Sequence, residues 1–149
     1  MREAMIRLVM RDDWDQWLPL WEGYNSFYER VVPPDVTQAT WQRFFDPSEP
    51  VHALVASHDG TLLGLVHYIF HRSTSAITPV CYLQDLFARE EARGLGIGRQ
   101  LVEAVYTKAR DAASPRVYWL THETNSRAMM LYDKVAERSG FVQYRKAIG

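Results

Sequence analysis

The sequence predicts an α/β layered domain with a mixed sheet, and three observations carry the prediction. Aromatic residues recur at helical spacing over 14–28. The period drops to two between 51 and 88. Strand-like and helical segments then interleave to the C-terminus. At 149 residues the chain fits one domain, read as 1–149, and 47% hydrophobic with 23% charged residues is an ordinary globular composition rather than a disordered or fibrous one.

Taken in order, "MIRLVM" (5–10) reads as a first or edge strand, and Asp12 as the N-cap of a helix carrying Trp14, Trp17, Trp21, Tyr24 and Tyr28 on one face. Pro19 should kink or split that helix. "VVPPD" breaks the chain before a shorter helix around "TQATWQRFF". Next, "VHALVAS", the turn "HDG" and "TLLGLVHYIF" make a hairpin, because aspartate-glycine between β-rich runs is a strong turn signal. A loop "RSTSAITP" leads to a third run, "VCYLQDLFA". A helix over about 97–112, a short strand "RVYWLT", a helix over about 126–139 and a last strand "FVQYRK" complete the order βααβββαβαβ.

No apolar run approaches the roughly 20 residues of a membrane span, and the N-terminus is too often charged for a signal peptide, so a cytoplasmic protein is expected. The single cysteine, Cys81, reads as a small buried hydrophobe. Residues 1–88 hold 6 basic and 11 acidic side chains and residues 89–149 hold 11 and 7, a split of −5 against +4. Such a split suits a cationic ligand on one half and an anionic one on the other, and is too weak to indicate nucleic acid.

The stretch "RGLGIG" (93–98) runs straight into a helix. A dinucleotide fingerprint would need glycine where Arg99 stands, and a P-loop would need a lysine that is absent. What remains is a strand-to-helix turn, either a plain turn or an anion cradle, in which Gly94, Gly96 and Gly98 let a ligand approach backbone N–H groups at a helix N-terminus.

Arg93, Gly96 and Gly98 stand in the pattern Arg/Gln-x-x-Gly-x-Gly/Ala behind the strand "YLQDLFA". This resembles the acetyl-CoA-binding signature of the GNAT superfamily of N-acetyltransferases. Asn125, Ala128, Tyr132 and the pair Gly140-Phe141 are similar to its second conserved region. The common form has three residues between tyrosine and Gly-Phe; "DKVAERS" supplies seven, which a helix lengthened by one turn would absorb. The longer form resembles the branch with yeast histone and polyamine acetyltransferases. The resemblance implies a mixed, mostly antiparallel twisted sheet of six to seven strands flanked by about four helices. It also implies acetyl-CoA as donor, held by Leu86, Phe87 and Ala88 through their backbone, by residues 93–99 (Arg93, Gly94, Leu95, Gly96, Ile97, Gly98, Arg99), and by Asn125, Ala128 and Tyr132. A homodimer is compatible with it.

Acetylating an amine has chemical requirements of its own. An alkylamine with a pKa near 10.4 is neutral in about one molecule per thousand or fewer at pH 7, so a base or a water relay is needed. Asp85 is the carboxylate nearest in sequence to the expected thioester; it could equally hold a substrate ammonium or pair with an arginine, and Glu22 is a weaker candidate for either job. By the resemblance, Tyr132 protonates the departing thiolate; by spacing alone it is a core aromatic on a helix face. Asn125 could simply cap its helix. Tyr24, Phe27 and Tyr28, with Gln84, are the expected substrate wall, although the aromatic stripe could also be core. His67 and His71, about 13 Å apart along a strand, could not share an ion, and no metal is expected. The reading is therefore an acetyl-CoA-dependent N-acetyltransferase acting on a small amine such as a polyamine or amino acid. A protein acetyltransferase and a silent acetyl-CoA sensor remain alternatives. Neither nucleic acid nor membrane is expected as a partner.

Overall fold

A computed structural model describes residues 4–149. Its strands are β1 (Met5–Leu8), β2 (Val51–His58), β3 (Thr61–Ser73), β4 (Ala76–Ala88) and β5 (Val117–Tyr118). Its helices are α1 (Trp14–Phe27), α2 (Pro34–Arg43), α3 (Ile97–Asp111) and α4 (Ser126–Val135). The strands form one sheet in sequence order, antiparallel except for the parallel β4–β5 pair.

Period-two alternation in the strands divides the core in two. Leu54 and Ala56 of β2, Val66 and Tyr68 of β3, and Cys81 and Leu83 of β4 face α3, meeting Ile97, Leu101, Val102, Val105 and Ala109. Ala53, Val55, Leu62 and Leu65 face the other way, onto Trp17, Leu20, Trp21 and Tyr24 of α1 and Trp41 of α2. Gly64 lets α3 settle on the sheet: a Cβ there would lie 2.8 Å from the Phe87 carbonyl oxygen and 2.9 Å from Ile97 Cγ2. Burial pushes the Cys81 thiol up to about 12, which leaves almost no thiolate at neutral pH.

Several expectations are corrected. Among the described residues the sheet has five strands, not six to seven, because "FVQYRK" finds no ladder partner there and stays irregular. The expected loop "RSTSAITP" is mostly strand, since β3 and β4 run on until Ser73 pairs with Ala76 around a two-residue turn. Pro19 does not split α1, a single helix held by buried Trp17, Leu20 and Trp21 on either side of the proline. Asp12 is not the cap. A short 3-10 turn, Arg11–Asp13, precedes α1, and Asp13 accepts the Met10 amide at 2.7 Å and a two-pronged contact from Arg7 at 2.7 and 3.0 Å. Finally, α4 stops at Val135 rather than near 139, and Ala136 is already extended at φ −155°, ψ −174°.

One irregularity positions everything that follows. His67 pairs with Asp85, but Tyr68 pairs with Leu83, so Gln84 is an extra residue in β4. Residues 83 and 85 of a regular strand would share a face; the bulge sends Leu83 toward α3 and Asp85 toward α1.

Candidate active site

Beyond its two-residue pairing with β5, the last part of β4 has an open edge, and Leu86, Phe87 and Ala88 lie along it. The chain then makes a short turn and enters α3 through Gly94 (φ +85°) and Gly96 (φ +74°), both in the left-handed region that side chains resist. The Leu95 amide is taken by the Ala92 carbonyl at 3.2 Å, and the first helical bond runs from Gln100 N–H to the Gly96 carbonyl. Among the described residues, the amides of Gly94, Gly96, Ile97, Gly98 and Arg99 have no acceptor. Free donors at a helix N-terminus fit an anion such as a diphosphate, and an open strand edge fits an extended amide-bearing arm. Arg93 and Arg99 stand beside them, each exposed and paired locally with Glu90 (3.4 Å) and Glu103 (2.8 Å). The side chains of Ile97 and Leu95 turn inward to the core.

On the α1 face the bulge buries Asp85, 5% exposed, against His67, 3% exposed. Trp17 Nε1 lies 3.1 Å from His67 Nε2, and His67 Nδ1 lies 2.9 Å from Asp85 Oδ2. An indole N–H only donates, so His67 Nε2 must accept, and Nδ1 carries the proton that is donated to Asp85. The Trp17–His67 contact thus selects the imidazole tautomer that holds the carboxylate. Arg30 Nη2 stands 3.7 Å from Asp85 Oδ1, with its guanidinium over the rings of Trp21 and Tyr24 and its Nε bonded to Asn25 Oδ1 at 2.7 Å. Burial first, then the Asp85 charge, raise the Tyr24 hydroxyl far above an ordinary phenol, so it stays protonated.

A cleft of about 290 Å³ opens on Asp85. Trp21, Phe44 and Ile69 make apolar walls, Gln84 lies beside Asp85, and Arg30 and Arg43 supply positive charge. The Arg43 guanidinium has no hydrogen bond or ion pair among the described residues, although its carbonyl accepts from the Asp46 amide at 3.2 Å.

From Asp85 a run of phenols leads toward α4. Tyr24 packs on Tyr28 at 5.0 Å, and Asn125 Nδ2 donates to the Tyr28 hydroxyl at 3.5 Å. Tyr132 stands edge-on to Trp119 at 5.4 Å. Burial, then the nearby Tyr28, push its hydroxyl up to about 12. Asn125 occupies the N-cap position of α4 without a side-chain cap bond; its amide serves the tyrosine instead. Ala128 is half-buried one turn before Tyr132, and α4 rests on α3 where Leu131 meets Gly98.

A model of the Acetyltransferase (GNAT) family matches residues 10–136. The chain belongs to the GNAT acetyltransferase family. It is an acetyl-CoA-dependent N-acetyltransferase by that membership. It is 35% identical over 144 residues to the D-amino-acid N-acetyltransferase HPA3 of Saccharomyces cerevisiae, covering 95% of this chain and 89% of that protein. Over 141 residues it is 26% identical to the uncharacterized N-acetyltransferase YhfO of Bacillus subtilis, covering 93% of this chain and 94% of that one. Among solved structures it superposes on AAC(6')-Iy in complex with a bisubstrate analog at a TM-score of 0.83 and 18% identity, covering 99% and 100% of the two chains. The same fold recurs in the ribosomal-protein-alanine N-acetyltransferase of Brucella melitensis at 0.82 and 20%, covering 99% and 100%.

Within this GNAT enzyme, the sequence-expected residues divide cleanly. Gln84 and Asp85 line the cleft, whereas Tyr24 and Tyr28 stand outside its lining and are linked by successive contacts to Asp85, Asn125 and Tyr132. Glu22 is exposed on α1 outside the cleft, and Phe27, 60% exposed and also outside it, meets the Tyr28 ring edge-on. Three residues of the cleft carry no signal of their own in the sequence. His67 figures there only as half of a metal pair with His71, which hydrogen-bonds Tyr118 at 2.7 Å; Arg30 and Arg43 stand in no motif. A histidine opposite an aspartate on a neighbouring strand would have been the usable signal, but the bulge that sets their register carries no composition mark of its own.

Proposed function

We propose that this enzyme transfers the acetyl group of acetyl-CoA to the α-amine of a free amino acid, with the D series as the first acceptors to examine. The carrying observation is the charge pattern of the cleft: one buried carboxylate at its floor and two arginines along its walls, one of them, Arg43, with no partner for its guanidinium among the described residues. A polyamine would meet both guanidiniums as like charges, whereas an amino acid offers an ammonium to Asp85 and a carboxylate to Arg43. The activity carried by the name of the yeast relative supports the same reading.

Acetyl-CoA supplies an activated acyl group as a thioester. The open edge at Leu86, Phe87 and Ala88 would hold its arm and place backbone donors at the acyl oxygen. The free amides of Gly94, Gly96, Ile97, Gly98 and Arg99 would hold its diphosphate. Asp85, fixed by His67, attracts the acceptor ammonium and takes its first proton, which frees the lone pair for attack; as the N–C bond forms and the C–S bond breaks, the second nitrogen proton passes to water. Tyr132, which keeps its proton through the neutral range, donates it to the departing sulfur. The two proton-handling groups stand at opposite ends of the Tyr24–Tyr28 run.

A free-thiol release assay with acetyl-CoA over D- and L-amino acids, polyamines, aminoglycosides and peptides tests the proposal. Amino acids should lead, and Tyr132→Phe should lower kcat on them about 10- to 100-fold without unfolding the protein. Preference for polyamines overturns the acceptor class, and no turnover on any amine favours the sensor alternative.

A further inference from the structure

The floor of the Asp85 cleft continues past its own walls. Residues directly opposite in neighbouring strands share a face of the sheet, so His67 with Asp85 forms one row, and Ile69 with Tyr82 and Tyr118 forms another across β3, β4 and β5. Their chain neighbours Phe70, Cys81 and Val117 point to α3 and belong to its core, which leaves Ile69, Tyr82 and Tyr118 on the opposite face with Asp85. These three residues are half-buried and belong to neither hydrophobic core. Ile69 is also a wall of the cleft. The second row therefore starts inside the cleft, about 7 Å along β3 from His67, and runs outward over β4 and β5.

The outer part of this row is a fixed aromatic shelf. The rings of Tyr82 and Tyr118 stack at 5.0 Å with 25° between their planes. His71 stands edge-on to Tyr118 at 5.7 Å, with its Nε2 2.7 Å from the Tyr118 hydroxyl. Its Nδ1 lies 2.8 Å from the Arg72 carbonyl oxygen, which can only accept, so Nδ1 carries the proton and Nε2 of the neutral ring accepts from Tyr118. The stacked pair is thus held in place although neither core packs on it. Burial first, then the Asp85 carboxylate and Tyr118, raise the Tyr82 phenol above its ordinary range, so the shelf carries no negative charge at neutral pH. Positive charge borders it instead, since the Arg116 guanidinium lies 5.9 Å from the Tyr118 ring centroid.

We propose that this shelf receives the side chain of the acceptor and selects aromatic amino acids, an assignment that rests on the reading of the cleft given above. An amino acid with its ammonium at Asp85 and its carboxylate at Arg43 has one substituent left on Cα, and the row from Ile69 outward gives that substituent an apolar path continuous with the cleft. A planar ring gains edge or face contacts with Tyr82 and Tyr118 beyond what its buried area supplies. A methyl group stops short of both tyrosines. A lysine or arginine side chain arrives beside Arg116 as a like charge.

Four amines in the thiol-release assay separate the two readings: D-alanine, D-phenylalanine, ethylamine and 2-phenylethylamine, which differ by a carboxylate in one direction and by a phenyl ring in the other. The ring should raise kcat/KM about tenfold or more in both pairs, chiefly through KM. Tyr118→Ala should lower the ratio of D-phenylalanine to D-alanine about tenfold, whereas Tyr118→Phe, which keeps the ring, should hold it near the wild-type value. A D-phenylalanine rate no better than that of D-alanine, a preference for D-lysine over D-phenylalanine, or a ratio untouched by Tyr118→Ala overturns the shelf. Equal turnover of each amine and its amino acid overturns the carboxylate reading of the cleft and not the shelf, which stands or falls on the gain from the ring. Should Tyr118→Ala lose its fold, product inhibition of the wild-type enzyme decides: N-acetyl-D-phenylalanine should inhibit at a concentration about tenfold lower than N-acetyl-D-alanine, and equal inhibition overturns the proposal.

Discussion

Removal of the Arg43 guanidinium tests the reading of the cleft most directly. Arg43 lines the cleft with no partner for its guanidinium among the described residues, so Arg43→Ala breaks no internal ion pair and leaves Asp85, His67 and Arg30 in place. A hydrogen bond to a charged partner is worth roughly 1.5–3 kcal/mol. Arg43 is exposed, so water screens it, and a contribution of about 1–2 kcal/mol is the appropriate scale. That converts to a loss of roughly 5- to 30-fold in kcat/KM for an acceptor whose carboxylate it holds. D-alanine and ethylamine differ by that carboxylate, and both are read by the same thiol-release assay. The variant should lose activity on D-alanine, chiefly through KM, while its kcat/KM on ethylamine changes by less than about twofold. Equal losses on both amines, or none on either, would refute the assignment of Arg43 to the acceptor's acid group.

Three further outcomes are expected. Asp85→Asn keeps the shape of the buried group but removes its charge and its capacity to accept a proton, so kcat should fall about 10²- to 10⁴-fold with the KM for acetyl-CoA little changed; near-normal turnover would show that proton removal occurs elsewhere. Gly64→Ala drives a methyl group to within 2.8 Å of the Phe87 carbonyl, a backbone atom that cannot step aside, and should cost about 1–3 kcal/mol in a denaturant titration; an unchanged midpoint would mean that α3 does not pack as described. The Arg7 contacts hold the Asp13 carboxyl below its usual range. A carboxyl depressed in the folded state stabilises above its unfolded pKa, and that stability is lost as pH falls through the folded value. Thermal melts should therefore fall steeply below about pH 4, and Asp13→Asn should lower the neutral-pH melting temperature while flattening that acid limb.

The turn and helix proposed to hold the donor were legible as backbone structure because their geometry is local. The amides that could hold a diphosphate all belong to the short stretch 94–99, with Leu95 alone engaged. Their availability follows from Gly94 and Gly96 taking left-handed angles just before a helix, and from that helix having an N-terminus at all. Asn125, Ala128 and Tyr132 lie within two turns of one another on α4. The alternation in 51–58 and 61–71 likewise announced the hairpin. Expectations failed where a partner distant in sequence decides the outcome. Whether 141–146 becomes a strand depends on a ladder partner, Pro19 is tolerated because Trp17 and Trp21 are buried on either side of it, and Thr78 and Pro79 join a strand because β3 runs alongside.

By itself the sequence determined the layered class, the two-faced strands, the amide-rich turn and the helix bearing Tyr132, since each rests on periodicity or on backbone freedom within a few residues. Tertiary structure alone decided the cleft that we propose takes the acceptor. The single extra residue Gln84 rotates Asp85 to the α1 face, where Trp17, 50 positions from His67, sets the imidazole tautomer that holds the carboxylate. Arg30 and Arg43 reach the same cleft from the segment after α1 and from the end of α2. Register and packing bring these charges together, and neither leaves a mark within any short stretch of chain.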